Sequence, residues 1–169
     1  MNSKVISISA IAAAVSGLLV GLGCYLGNFD FSLFLLAGIF LTIPLYRNSV
    51  WGCVLAYLAG GFIGLMISGF NIIVIFPYFV WFGIHPVLGC ILARKGINKW
   101  LSFLIKLIFL ELTIFLLLQF TQALTVKMDF LNENAWIFYL VAIPVLWFYD
   151  RMVEYVVRYL FTVLSKVAK

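Results

Sequence analysis

Apolar residues in this chain come in long unbroken runs rather than in alternation. The runs cover 5–26, 31–46, 50–67, 72–92, 101–123 and 135–150. A helix needs about 20 apolar residues to cross a bilayer. Stretches such as Phe103-Leu104-Ile105 and Leu116-Leu117-Leu118 lack the alternation of a membrane barrel strand. The pattern predicts an all-α membrane protein, a six-transmembrane-helix bundle that forms one integral domain over 1–169. Beyond 150 the period changes. Val153, Val156, Val157, Leu160 and Leu164 follow helical i, i+3, i+4, i+7 spacing, and Asp150, Arg151, Glu154, Arg158 and Lys166 fill the remaining arc. Glu154 and Arg158 stand one turn apart as a favourable pair. Residues 151–169 are therefore expected to form an amphipathic helical extension resting along the inner membrane surface.

Composition narrows the class further. Of 169 residues, 66% are hydrophobic and 10% charged, whereas a soluble domain carries about 25% charged residues. That excludes a soluble enzyme, a nucleic-acid binder and a disordered tail. With six spans the loops alternate between two sides. One side receives Lys4, Arg47, Arg94, Lys95, Lys99, Arg151, Arg158, Lys166 and Lys169; the other receives Lys127, with Asp30, Asp129 and Glu133. Lysine and arginine collect on the cytoplasmic side of membrane proteins, so both termini are expected to be cytoplasmic. The net charge of +5 then reads as attraction to anionic inner-leaflet lipid. Lys4 precedes an apolar run of over 20 residues, longer than the ~7–15 of a signal peptide core, so the first helix is expected to be retained. The tight outer connection at 27–30 places Asp30 to cap the second helix.

Chemistry is sparse. Cys24, Cys53 and Cys90 lie in different spans without paired spacing, and His85 has no metal-ligand partner at helical spacing. Neither a metal site nor a cofactor is expected. No nucleophile elbow, zinc-protease motif or phosphate loop occurs, and the chain is not expected to be an enzyme. An intramembrane enzyme built on His85 and Glu111 is the weakest reading, because no nucleophile or metal set accompanies them.

Three internal features remain. Ser3, Ser7, Ala10, Ala14, Gly17 and Gly21 form a small-residue stripe on the first helix, of the kind that lets membrane helices approach closely. It serves either the bundle itself or a partner subunit, with Ala10, Ala14, Gly17 and Gly21 as the docking candidates. His85, Lys106 and Glu111 are ionisable groups within spans, costly there and usually turned inward. His85 and Lys106 fall at similar depth in the cytoplasmic third, and Glu111 falls near the midplane on a different face of its helix from Lys106. Lys106 either snorkels to the interface or meets Asp150, which lies at a matching height. Glu111 is the better functional candidate, bonded to His85, Gln119 or a ligand. Finally, Asn71, Tyr78, Trp81, Gln119, Gln122 and Tyr139 give an aromatic and amide lining towards the outer half, suited to a flat heterocycle. Pro77 and Pro86 are expected to kink the fourth span and open space beside it. Trp136 reads as part of an interfacial aromatic belt.

The run Ile8-Ser9-Ala10-Ile11-Ala12-Ala13-Ala14, with its A-x-x-x-A at Ala10 and Ala14, resembles the substrate-binding S components of energy-coupling factor transporters. The phrase Phe82-Gly83-Ile84-His85-Pro86-Val87-Leu88 resembles a G-x-x-P pattern in uncharacterised members. Six spans, cytoplasmic termini and the length fit along the whole chain. The resemblance implies a bacterial plasma-membrane subunit that binds a vitamin-like small molecule. It would dock through Ala10 and Ala14 onto a membrane coupling subunit joined to two cytoplasmic ATPases. The rival is a non-transporting scaffold, similar in topology to the six-helix shape-determination proteins of the cell envelope.

The charge split makes a direct prediction. In a cysteine-free background, single cysteines at Asn132 and Asn98 should label oppositely in intact cells. An impermeant thiol reagent is expected to reach position 132 and spare 98, and the reverse pattern would invert the orientation.

Overall fold

The computed structural model describes residues 3–26, 30–124 and 135–167. The connections at 27–29 and 125–134, on which two of the outer loops were placed, lie outside the described residues, as does the side chain of Gln122. Every regular element among the described residues is helical. They are α1 (Ser3–Tyr25), α2 (Asp30–Phe40), α3 (Ile43–Tyr46), α4 (Val50–Ile67), α5 (Ile72–Pro77), a π-helical turn (Tyr78–Phe82), α6 (His85–Arg94), α7 (Lys99–Leu124) and α8 (Ala135–Val167). Three stretches, Ser3–Tyr25, Val50–Ile67 and Ile72–Arg94, are long and apolar enough to cross a membrane. Their outward surfaces are apolar too: Ile11, Trp51, Phe62 and Ile73 all stand exposed.

Two of the expected spans are interrupted, each at a proline. Pro44 has no N–H to donate to the carbonyl of Phe40, so α2 cannot run on through it. The chain makes a turn at Leu41 and Thr42 before α3, and Thr42 Oγ1 donates to the Ile39 carbonyl at 2.7 Å. Pro77 likewise withholds a donor from Ile73. The chain answers by widening: Gly83 N donates to Tyr78 O at 2.9 Å, five residues back, and Pro86 then sits in the first turn of α6. Where kinks are expected from Pro77 and Pro86, the chain has a local π turn and a break at Gly83 and Ile84. At the start of α2, Asp30 Oδ1 accepts from Phe31 N at 2.7 Å.

α1, α2 and α4 form the tightest part of the bundle. Small residues set the α1–α4 spacing. A Cβ on Gly17 would stand 2.6 Å from Ile63 Cβ, one on Gly64 would stand 2.5 Å from Val20 Cγ1, and one on Gly60 3.1 Å from the Ala13 carbonyl. Against α2, the buried Ser16 hydroxyl donates to Ala37 O at 2.9 Å. Tyr25 Oη closes the far end by donating to Ile67 O at 2.7 Å. Gly38 of α2 lies so near the π turn that a Cβ would meet the Phe82 carbonyl at 2.0 Å. Phe34 and Tyr78 fill the space between, with ring centroids 6.3 Å apart.

The stripe expected on α1 is divided by this packing. Gly17 and Gly21 are buried against Ile63 and Ile67 of α4, whereas Ser3, Ser7, Ala10 and Ala14 face outward. α4 follows α1 from Ser9 to Gly21, but along the first half of the stripe it covers Ser9 and Ala13 rather than Ala10 and Ala14. The two glycines are thus not available to a partner.

α8 runs unbroken for 33 residues, about 50 Å at 1.5 Å per residue. Its 151–167 portion is not a separate surface helix: Val153 and Val157 are buried with Ile39 of α2, and Phe161 meets Tyr46 at 6.0 Å between centroids. Part of its apolar stripe is satisfied within the chain. The expected Glu154–Arg158 bond is formed.

Replacing Gly17 with valine would drive branched carbons into Ile63, and overpacking of this kind costs about 1–3 kcal/mol. The variant should melt at lower temperature in mild detergent, whereas Ile11→Val on the exposed face should not shift the transition.

A candidate binding cavity between three helices

The inner face of α7 carries Lys106, Phe109 and Thr113, and that of α8 carries Ala142, Leu146, Asp150, Val153 and Val157; both sets repeat at helical spacing. Thr113 is buried, as are the four apolar residues of α8. α6 lies against both. It presents small residues there: a Cβ on Gly89 would come within 3.3 Å of Lys106 Nζ, and Ala93 continues the same side one turn on. Where α6 is small and α7 and α8 are not drawn in, a cavity of about 720 Å³ opens, lined by residues of all three helices.

Its inner end is polar. Lys106 Nζ donates to Asp150 Oδ1, and His85 Nε2 lies 3.6 Å from the same oxygen. An ammonium in such a site needs a counter-charge, since transfer of a lone charge from water costs several kcal/mol. Asp150 supplies it and keeps about a fifth of its side chain exposed to the cavity. His85 is fully buried between two aromatic rings, 4.6 Å from Trp81 and 4.7 Å from Tyr149 between centroids. Trp81 stacks in turn on Phe109 at 5.4 Å. Neither His85 nitrogen has a hydrogen-bond partner, and neither does the Tyr149 hydroxyl. Buried polar atoms are nearly always satisfied, yet this imidazole, whose polar neighbour is the Asp150 carboxylate, is left without a hydrogen bond at the end of the cavity.

The mouth is basic. Arg94, Lys99, Arg151 and Arg158 surround it together with Glu154. Arg94 is spent on the α3–α4 connection, donating to Leu45 O and, at 2.9 Å, to Asn48 Oδ1. That contact holds Asn48 in a left-handed conformation, with φ 58°. Glu154 accepts from Arg158 and stands 3.6 Å from Arg151.

The residues expected to form the site part company here. His85 lines the cavity, and Trp81 backs it. The Lys106–Asp150 contact expected from matching heights is made. Tyr78 is instead a core residue, fully buried against Tyr57 and Phe34. Asn71 caps α5, its Oδ1 accepting from Val74 N. Glu111 is half-buried, lies outside the cavity lining and has no bond to His85 or Gln119. Five residues separate it from Lys106, so it points to another face of α7. Gln119 is exposed, Tyr139 is half-buried, and neither lines the cavity. The space opened beside the kinked span lies at the basic end rather than the outer half. Gly89, Phe103, Trp147 and Arg151 were not foreseen as lining residues. The legible signal for them was the height shared by Lys106 and Asp150, which already placed α7 beside α8. Among the described residues no three His, Cys, Asp or Glu side chains come together to hold a metal.

No family model, curated protein or solved structure matches this chain.

Removing one member of the Lys106–Asp150 pair strands the other. Breaking a fully buried pair costs about 3–5 kcal/mol, and the partial exposure of Asp150 reduces this to about 2–3 kcal/mol. Lys106→Met and Asp150→Leu should each lower the melting temperature, and the double variant should recover most of the loss. A double-mutant cycle in which the two effects simply add would mean the pair is not coupled.

Proposed function

We propose that this chain is a six-span plasma-membrane subunit of the S type, which binds a small molecule between α6, α7 and α8 and delivers it through a membrane coupling subunit and cytoplasmic ATPases. The observation that carries the reading is the cavity itself, about 720 Å³ and ending on the Lys106–Asp150 pair beside a buried imidazole that makes no hydrogen bond. Ligand sites combine apolar walls with a few placed polar groups at volumes of roughly 300–1,000 Å³, and helix bundles offer such sites between facing helices. On the orientation implied by the charge split, the cavity opens towards the cytoplasm, as a conformation that hands over its ligand must.

Docking is supported by the outward half of the α1 stripe. Ala10 and Ala14 are exposed one turn apart on a helix whose other side is fully occupied by α2 and α4. Lipid offers no hydrophobic drive for helix association, so a smooth small-residue face gains by close van der Waals approach to another helix. Ser7 does not project a free hydroxyl there, because Ser7 Oγ donates to the Ser3 carbonyl of its own helix.

Exchange of both alanines for leucine should abolish copurification with ATPase-bearing partners while leaving the isolated protein folded and monodisperse. Full recovery of those partners by the double variant would remove the docking face. Copurification of cell-envelope proteins without any ATPase would favour the scaffold reading instead.

A further inference from the structure

The cavity's charges are not balanced from within. Five cations line it, Arg94, Lys99, Lys106, Arg151 and Arg158, against the two carboxylates of Asp150 and Glu154. Asp150 is matched by Lys106, and Glu154 is shared by Arg158 and Arg151. Arg94 binds only neutral oxygens, those of Leu45 and Asn48, and Lys99 stands exposed at the mouth. Positive charge gathered around a concave, partly apolar space raises the local concentration of anions. The rest of the lining is largely apolar, with Phe103, Trp147, Val153, Val157 and Phe161. The floor holds the unpaired His85 and the remaining donors of the Lys106 ammonium.

We infer that the cavity binds an anionic amphiphile, a phosphate or carboxylate group carried on an apolar body. The anionic group meets Lys99 and Arg151 at the mouth, the body lies on the aromatic and valine walls, and a polar function at its inner end meets the Lys106–Asp150 pair beside His85. The inference rests on the cavity being the ligand site and gives that ligand a chemical class. Basic pockets between membrane helices on the cytoplasmic side are suited to anionic lipid headgroups, and a soluble amphiphile offers the same group.

The test is native mass spectrometry of the full chain in mild detergent. The probes are dioleoyl phosphatidylglycerol, dioleoyl phosphatidylcholine and octyl phosphate. One phosphatidylglycerol should be retained per chain, at least ten-fold more strongly than phosphatidylcholine. The pair Lys99→Ala and Arg151→Ala should weaken that retention about ten-fold. Ala93→Phe, which fills the cavity from an exposed position without touching a charge, should do the same. Lys4→Ala with Lys166→Ala, which removes two charges elsewhere, should change nothing. Octyl phosphate binding as tightly as the lipid identifies a soluble source; displacement only at far higher concentration identifies the leaflet. Equal retention of the two lipids, absence of retention, or retention indifferent to Ala93→Phe and to the charge pair overturns the inference. Partner copurification is measured separately. If ATPase partners copurify while anionic probes fail, the ligand class falls and the subunit reading stands. If anionic probes bind while no ATPase copurifies, the subunit reading falls and the ligand class stands.

Discussion

Two helices can approach only as closely as their side chains permit, and in lipid, where no hydrophobic drive joins them, that closeness is a main source of their association. The α1–α4 crossing is where this constraint is met most fully. Gly17, Gly60 and Gly64 bring the helix surfaces to a separation that a single methyl group would block. α2 is then placed by the Ser16 bond to Ala37, and the π turn is placed by Gly38. Each later element is seated on one that the crossing has already positioned.

The other side of the bundle is held by different means. α6, α7 and α8 present few glycines to one another and leave a partly open cavity between them. Here the Lys106–Asp150 pair and the ring sequence Phe109, Trp81, His85, Tyr149 do the joining. Ion pairs and rings are directional. They fix orientation without requiring close contact all along the helices, which is how a cavity survives between them. Dense packing in the first half and sparse, directional contacts in the second divide the chain into a frame and a half that holds the cavity.

Much of the helical layout was legible because bilayer thickness imposes a length on apolar runs, and those runs stand out in the chain. The breaks at Pro44 and Pro77 follow from a missing donor, although only the second was read as a kink. Matching heights of Lys106 and Asp150 located one true contact of the site. What the residues could not reveal was facing. A stripe such as Ala10, Ala14, Gly17 and Gly21 states that something approaches, not which neighbour, and the face of α1 that α4 packs against covers only two of the four. Glu111 stood out by its cost in a membrane, but cost names no partner. Tyr78 and Asn71 matched a pocket by type and turned out to fill a core and cap a helix.

The π turn makes the position of the polar floor a matter of counting. Its first residue, Tyr78, faces the frame, and the residues after it present His85 to the cavity. One residue fewer between Pro77 and His85 would restore ordinary helical phase and rotate α6 by about 100°, a 3.6-residue helix losing one step. His85 and Gly89 would then leave Asp150 and Lys106 together. Side-chain replacements alter the cavity one contact at a time, whereas a single-codon deletion in this turn would dismantle its floor and leave every helix intact.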